Sequence, residues 1–346
     1  MTVSGALDPS LALLRESSPL LSPPLKRALV AFSKWLFLPD PDVVLVTYGA
    51  LAANHLPGDP TWLLLVGAPG SGKTEALLPA MAVPSVRAVS TLTRASLLSG
   101  TAKKEHADSA KGGLLRELGD FGCIVIKDFT SILSLHREER AEVLAALREV
   151  YDGSYSRAVG TDGGKTVSWQ GKIGLLAAVT PTVDRHHALM ASMGERFVMF
   201  RLPEVDADSQ ALRALDHAGK EKQMRAELAE AVTRLFEPGL PAEPKPLDGN
   251  DKLRLMYLAT FVVKARSAVE RDGYTRDIEL VPGSEAPTRI IVALSRLLAG
   301  LDALGASRED GWRIITRAGL DSIPALPHHR HQDGRRAGRR VDQIRA

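Results

Sequence analysis

Residues 62 to 74 read Trp-Leu-Leu-Leu-Val-Gly-Ala-Pro-Gly-Ser-Gly-Lys-Thr. The first five, Trp62 to Val66, form a short and continuously apolar run, which is typical of a strand buried on both faces of a parallel sheet. The next eight, Gly67 to Thr74, match the full pattern G-x-x-x-x-G-K-[ST] of a phosphate-binding loop. The strand and the pattern agree, so we predict a strand that leads directly into a phosphate site; the alternative is a chance glycine-rich turn.

The residue types of this loop suit phosphate chemistry. Glycines let backbone N–H groups turn around an anion, and the positive end of the following helix points at the same anion. We expect Lys73 to bridge the β and γ phosphates and the Thr74 hydroxyl to ligate Mg²⁺. The predicted cofactors are ATP and Mg²⁺, with the nucleotide held by Gly67, Ala68, Pro69, Gly70, Ser71, Gly72, Lys73, Thr74 and Glu75.

A second metal ligand is expected at the end of another buried strand. The apolar run from Cys123 to Ile126 is followed by Lys127 and Asp128. This order predicts the Asp128 carboxylate at the carboxyl edge of the sheet, where ligands bind in open α/β folds. The alternative is that Asp128 only caps the next turn. Phe129 stands where most motor ATPases have a glutamate that polarises the attacking water, so no general base is assigned.

Strand and helix patterns alternate through the first two thirds of the chain. Apolar runs recur at Ile173 to Val179 and at Phe197 to Phe200, with a clear helical period from Arg137 to Val150. The alternation predicts a three-layer α/β domain with a parallel sheet over residues 61–203. Helices are predicted within residues 25–60, after a flexible arm, residues 1–24, that is rich in Ser and Pro.

The composition changes after residue 203 and becomes rich in Ala, Glu, Lys and Leu. A long helical stretch is predicted from about Asp208 to Phe236, and prolines and glycines then form a linker over residues 238–250. Two amphipathic helices are predicted near Leu253 to Val269 and Thr288 to Leu304. The sequence therefore predicts an all-α second unit over residues 204–320.

Composition and charge limit the class of protein. The chain has 346 residues, 45% of them hydrophobic and 25% charged, and a net charge of +3. A chain of this length and composition can bury a sizeable core. Its total charge does not by itself indicate a nucleic-acid-binding protein. No apolar run approaches the ~20 residues of a membrane span, and the single Cys123 cannot form an internal disulfide, so we expect a cytoplasmic protein without a membrane partner. The basic tail, residues 321–346, either adds DNA affinity or has no partner.

A hairpin is predicted directly before one of the buried strands. Tyr155 to Val159 and Lys165 to Trp169 flank an Asp-Gly turn at residues 160–164. The strand from Ile173 to Val179 follows and ends in Thr180-Pro181, and Arg196 precedes the next strand. Over roughly residues 40 to 305, this order resembles AAA+ ATPases of the clade with a hairpin before sensor 1. The resemblance is greatest to minichromosome maintenance helicases and to replication ATPases of phages and mobile elements.

The resemblance implies a P-loop NTPase (AAA+) core followed by an α-helical lid, and a homo-oligomeric ring, by resemblance a hexamer. It implies that Thr180 orients the attacking water as sensor 1. It also implies that Arg196 reaches a neighbouring subunit's γ phosphate and that Arg289, which opens a lid helix, contacts phosphate as sensor 2. Each has an alternative: Arg196 as a surface arginine beside a strand, Arg289 on a solvated helix face, and Thr180 bonded to its own backbone.

In helicases of this clade a basic residue of the hairpin follows the nucleic-acid backbone, which makes Lys165 the first candidate for DNA contact and Arg157 the second. A solvated hairpin end is the alternative. The expected function is an ATP-hydrolysing motor that acts on DNA, a replicative helicase or helicase loader of a phage or mobile element. Phe129 favours the alternative class, a slow-turnover ATP-dependent switch or adaptor. A further alternative, remodelling of a protein partner, would use the same ATPase domain.

Overall fold

A computed structural model of the chain describes residues 21–99, 112–159, 165–192, 196–204, 206–267, 270–271, 278–280 and 285–325. Its strands are β1 Trp62–Val66, β2 Val86–Val89, β3 Phe121–Ile126, β4 Ser154–Val159, β5 Lys165–Gln170, β6 Lys172–Val179, β7 Phe197–Arg201, β8 Glu270–Arg271 and β9 Ile278–Leu280. Five of them form a parallel sheet in the order β2-β3-β6-β1-β7. The predicted α/β class and its parallel sheet are therefore confirmed.

The sheet is buried on both faces because its strands are apolar at nearly every position. Along β1, Leu63 and Leu65 face one hydrophobic cluster, whereas Trp62, Leu64 and Val66 face another. Strand residues alternate between the two faces of a sheet, so a strand covered on both sides reads as a continuous apolar run. Helices cover each face, which gives the three layers that the sequence predicted.

The helices are α1 Pro23–Trp35, α2 Asp42–His55, α3 Lys73–Leu77, α4 Arg94–Leu97, α5 Leu114–Leu118, α6 Thr130–Leu133, α7 Arg137–Tyr151, α8 His187–Ser192, α9 Ala207–Asp216, α10 Glu221–Phe236, α11 Gly249–Arg266, α12 Thr288–Ala303 and α13 Arg308–Asp321. Short 3₁₀ helices follow α3 at Leu78–Ala82 and precede α8 at Pro181–His186. One face of the sheet is covered by α4 to α7 and the hairpin β4-β5, and the other by α1, α2 and α10 to α13.

The C-terminal helices, which the change in composition predicted as an all-α unit over residues 204–320, pack against the α/β core. Helices α10 to α13 share one hydrophobic cluster with α1, α2 and the strands β1, β3, β6 and β7. Helix α12 packs along α2, and Arg296 donates to the Leu56 carbonyl at 2.9 Å. Ser322 accepts a hydrogen bond from the Met199 amide of β7 at 2.9 Å. The helices are thus continuous with the α/β core.

Helix boundaries differ from the predicted ones where a backbone feature interrupts or extends a pattern. The long stretch predicted from Asp208 to Phe236 is two helices, α9 and α10, separated by a turn that contains Gly219 with φ 81°. Helix α1 begins at Pro23, inside the expected arm. Residues 1–20, residues 326–346 of the basic tail and Val269 lie outside the described residues. Within the described part of the chain, no helix has the length and apolarity to cross a membrane.

Candidate active site

The phosphate-loop sequence adopts a tight loop at the carboxyl end of β1. Gly67 donates its amide to the Val179 carbonyl of β6 at 3.1 Å, which fixes the entry to the loop. Gly70 and Gly72 have φ of 79° and 81°, in the left-handed region that other residues seldom adopt. The backbone path therefore favours glycine at both positions.

Lys73 is only 8% exposed and lies along the inside of the loop. Its Nζ atom donates to the carbonyls of Gly67 and Ala68, both at 2.7 Å, and to Ser71 Oγ at 3.2 Å. Burial lowers the pKa of Lys73, and the nearby Asp128 carboxylate raises it in part. Lys73 and Asp128 therefore belong to one electrostatic site, although 54 residues of sequence separate them.

The helix that follows the loop is short. Helix α3 ends at Leu77 and continues as the 3₁₀ helix with Pro79 in its first turn. Thr74 is half-buried at the second position of α3. Glu75, which the sequence assigned to the nucleotide, accepts a hydrogen bond from Arg225 of α10 at 2.8 Å. This ion pair ties the start of α3 to a C-terminal helix.

Asp128 follows β3 at the carboxyl edge and is exposed. Its Oδ1 atom accepts a hydrogen bond from the Thr130 amide at 2.9 Å, so Asp128 also caps the turn that begins α6. The capping alternative is thus correct as far as it goes. It does not exclude a metal, because a carboxylate has two oxygens and several acceptor sites.

Thr180 follows β6, the strand between β1 and β3. Its hydroxyl lies 2.6 Å from Thr182 Oγ1 and 3.3 Å from Thr130 Oγ1, and its amide donates to Thr130 Oγ1 at 3.1 Å. The three hydroxyls form a polar cluster beside Asp128 that could orient a water molecule. Sequence reasoning missed Thr130 and Thr182. Their only signal was a hydroxyl two positions after Asp128 and two positions after Thr180.

Phe129 does not reach the polar cluster. Its side chain is fully buried, and its ring meets that of Phe197 edge-on, with 5.4 Å between the centroids. The Phe129 amide donates to the Ala178 carbonyl at 2.7 Å, which anchors the Asp128 segment to β6. Glu138 and Glu139 are exposed in the first turn of α7. The position therefore supplies packing and no carboxylate.

Arg196 lies at the amino end of β7, on the edge of the sheet opposite the phosphate loop. It is 5% exposed, and its Nη2 atom donates to both oxygens of Asp152 at 2.9 and 2.8 Å. Its guanidinium also lies 5.2 Å from the centroid of the Tyr151 ring. The alternative of a surface arginine is wrong. Asp152 and Tyr151 of the same chain hold the guanidinium, so it is not exposed as contact with a neighbouring subunit's phosphate requires.

Arg289 does not lie at the phosphate loop of its own chain. It lines a cleft with Asp59, which precedes β1, and Lys172, which begins β6. Both mark the amino edge of the sheet, whereas the loop follows the carboxyl end of β1. A five-residue strand is about 16 Å long, so an arginine beyond its amino end cannot reach a phosphate beyond its carboxyl end. Arg289 pairs instead with Glu285 at 3.0 Å.

The hairpin has the predicted antiparallel register, with Val159 opposite Lys165 and Tyr155 opposite Trp169. Arg157 is half-buried and donates to the Leu98 carbonyl at 3.3 Å, so it faces the body of the protein. The side chain of Lys165 and the turn at residues 160–164 lie outside what the structure describes. The hairpin is therefore present, without a described basic residue at its tip.

Comparison with known proteins assigns no family to the chain. No protein-family model matches it, and no curated protein sequence is similar to it at a significant level. The loop and the polar groups that surround it lie together at the carboxyl edge of the sheet. Three adjacent strands, β1, β6 and β3, end there in the phosphate loop, Thr180 and Asp128.

Proposed function

We propose that the chain binds ATP with Mg²⁺ at residues 67–74 and hydrolyses it as a P-loop ATPase of AAA+ type. The carrying observation is the buried Lys73 ammonium inside a left-handed glycine loop, close enough to Asp128 for the carboxylate to influence its pKa. An ammonium, a hydroxyl and a carboxylate at one sheet edge form the donor set that a magnesium nucleotide requires.

Each residue has a distinct part in this proposal. Lys73 would exchange its bonds to the Gly67 and Ala68 carbonyls for phosphate oxygens, and the Thr74 hydroxyl and Asp128 carboxylate would hold Mg²⁺. The metal would neutralise charge on the phosphates. Thr180 and Thr130 would orient the attacking water through their hydroxyls. No carboxylate among the described residues is assigned to take the proton, which favours slow hydrolysis.

The motor reading extends this proposal to an assembly and a substrate. Arg196 and Arg289 lie at the edge opposite the loop, so any contact they make with a phosphate is with that of a neighbouring copy. This location supports a homo-oligomeric ring, and Arg196 would first have to leave Asp152. The hairpin alone supports DNA as the substrate, with Lys165 and Arg157 as the contacting residues. The proposed role as a helicase or helicase loader rests on the same hairpin. In this hypothesis residues 204–320 form the lid.

A second candidate, the slow-turnover switch or adaptor, is favoured by the full burial of Phe129. A switch needs nucleotide binding and a change of state, and it does not need a rapid general base. Steady-state phosphate release with and without single-stranded DNA separates the two candidates. Stimulation by DNA supports the motor, whereas unchanged slow turnover supports the switch.

The binding proposal is tested with Lys73→Ala in isothermal titration with Mg-ATP. Loss of two or more charge-assisted hydrogen bonds should weaken ATP affinity by at least about a hundredfold. Lys222→Ala, on the exposed surface of α10, is the matched control and should bind like the parent. Equal affinity of the Lys73 variant and the parent would remove the proposal.

A further inference from the structure

Helix α9 presents an apolar face that nothing in the described part of the chain covers. Its outward residues lie on one side at helical spacing, and they are Asp208, Ala211, Leu212, Leu215 and Asp216. We call this the acidic α9 face. Leu212 is 63% exposed and Leu215 71%, and no residue of α9 is buried. A helix of ten residues is marginal in water without packing, so this face calls for a partner.

The opposite side of α9 is held by hydrogen bonds rather than by apolar packing. Gln210 donates to the Gly70 carbonyl of the phosphate loop at 2.7 Å. Arg213 donates to the Lys34 carbonyl at 3.1 Å. These contacts orient α9 against the loop at the carboxyl edge of the sheet, with both leucines pointing away from the body of the chain.

Helix α11 presents a second apolar face, with the opposite charge. Its exposed residues are Leu253, Arg254, Met256, Tyr257, Phe261 and Lys264, which we call the basic α11 face. Tyr257 is 67% exposed and Phe261 56%, while the other side of the helix is buried in the core. Arg254 stacks on the Trp312 ring at 3.8 Å, so the face has a fixed cation at one border.

The two faces carry charges of opposite sign. One carries two carboxylates and no cation, and the other carries two cations and no carboxylate. The opposite side of α9 rests on the phosphate loop through Gln210. Near the start of α11, Lys252 lines a cavity with Asp59, and at its end the Arg266 carbonyl lies 2.8 Å from His187 Nε2. Because the two faces differ, a contact between them is heterologous and repeats head to tail.

We propose that the acidic α9 face of one copy of this chain docks on the basic α11 face of the next copy. The apolar residues supply the contact area, and the opposite charges set its direction and exclude pairing of like faces. The inference rests on the assembly in the proposed function and names its surfaces. It also gives the phosphate loop a direct link to the contact, through Gln210.

Two double variants that leave the net charge unchanged test this contact. Their assembly is measured by light scattering after size exclusion, with and without Mg-ATP. Leu212→Ser with Leu215→Ser removes one apolar contact, and Tyr257→Ser with Phe261→Ser removes the other. All four positions are exposed, so both variants should fold. The parent should assemble, and each variant alone should associate at least about tenfold more weakly. Val30→Ser, at a 51% exposed position outside both faces, should assemble like the parent.

Mixing the two variants is the decisive measurement, because each retains the face that the other has lost. An equimolar mixture should form one-to-one pairs and nothing larger. A mixture without pairs, or a parent that stays monomeric in both conditions, overturns the inference. A monomeric parent that binds Mg-ATP leaves the proposed nucleotide site standing. Assembly through these faces in a chain that binds no ATP removes the nucleotide proposal and leaves the contact.

Discussion

Lys172 shows how a single buried charge should make stability depend on pH. Its Nζ atom donates to the Leu56 carbonyl at 2.5 Å, and burial, followed by repulsion from Arg296, lowers its pKa from 10.5 to about 8. Between pH 8 and 10.5 the folded chain binds fewer protons here than the unfolded chain. This residue's contribution to the free energy of unfolding should therefore rise with pH across that window.

The effect should amount to about 2 kcal/mol at most, since the amine is only half-buried and solvent screens it. Urea unfolding of the parent and of Lys172→Met at pH 7.5 and 9.5 gives, for each protein, the slope of the free energy of unfolding against pH. The difference between the two slopes measures the effect. Burial raises the thiol pKa of Cys123 to about 12 and Lys172 lowers it in part, so Cys123 acts in the opposite direction and both proteins are compared with Cys123→Ala present in each. Equal slopes in both proteins would show that Lys172 does not titrate in this window.

Phe129 provides a second test at the scale of one residue. Phe129→Glu restores the residue type that motor ATPases usually have after the metal-binding aspartate. Because the ring is fully buried against Phe197, the new carboxylate would be desolvated, and the variant should lose about 3 kcal/mol or more of stability. We expect no gain in turnover. Phe129→Leu is the control for lost ring volume, and faster hydrolysis by the glutamate variant would contradict the packing role.

The sequence alone can place candidate site residues relative to one another only where they are consecutive. Gly67 to Thr74 carry their own spacing, so the loop needed no tertiary information. Thr130 and Thr180 meet through parallel strands far apart in sequence, and the pattern of either segment alone does not reveal the contact. The position of Arg289 depends on which edge of the sheet its helix reaches, which local sequence does not encode.

Helices α2 and α12 pack closely against each other at Gly300. A Cβ added at Gly300 would lie against the Gly49 carbonyl oxygen and 2.6 Å from the Ala53 amide nitrogen. Backbone atoms cannot move away as a flexible side chain can, so Gly300→Ala should separate the helices and cost about 3 kcal/mol. Thermal unfolding measures this loss.

Gly249→Ala is the matched control, because it stands in the first turn of α11 with nothing within 4 Å of the new methyl group. It should change stability by less than about 1 kcal/mol, since alanine has the higher helix propensity. If the two variants lose the same amount, the helix contact does not depend on Gly300.

Elements were predictable where apolar and polar residues separate clearly, either along the chain or around a helix. The continuous apolar strands were predicted nearly to the residue. Helix α2 is buried from Asp42 through Asn54, and α11 is apolar on two sides, so neither has a clear amphipathic period. The exposed side of α11 explains why its predicted bounds were displaced from Gly249–Arg266.

At the scale of the whole molecule, the helices on the two sides of the proline-rich linker pack into one hydrophobic cluster. Leu228 of α10, before the linker, and Leu255 of α11, after it, lie in the same hydrophobic cluster as Leu63 and Leu65 of β1. A linker sequence reports where a helix cannot continue. It does not report whether the helices on its two sides share a core, because that depends on their distant partners.

A shared core predicts that the described part of the chain unfolds in one step. Differential scanning calorimetry should give a single transition whose calorimetric and van't Hoff enthalpies agree. Leu297→Ala, at a fully buried position of α12, should cost about 2 to 5 kcal/mol and shift that whole transition, since α12 packs against the same cluster as β1. Val292→Ala, 40% exposed on the same helix, should leave it nearly in place. If a separate lid existed, Leu297→Ala would split the transition into two and leave the α/β part unmoved.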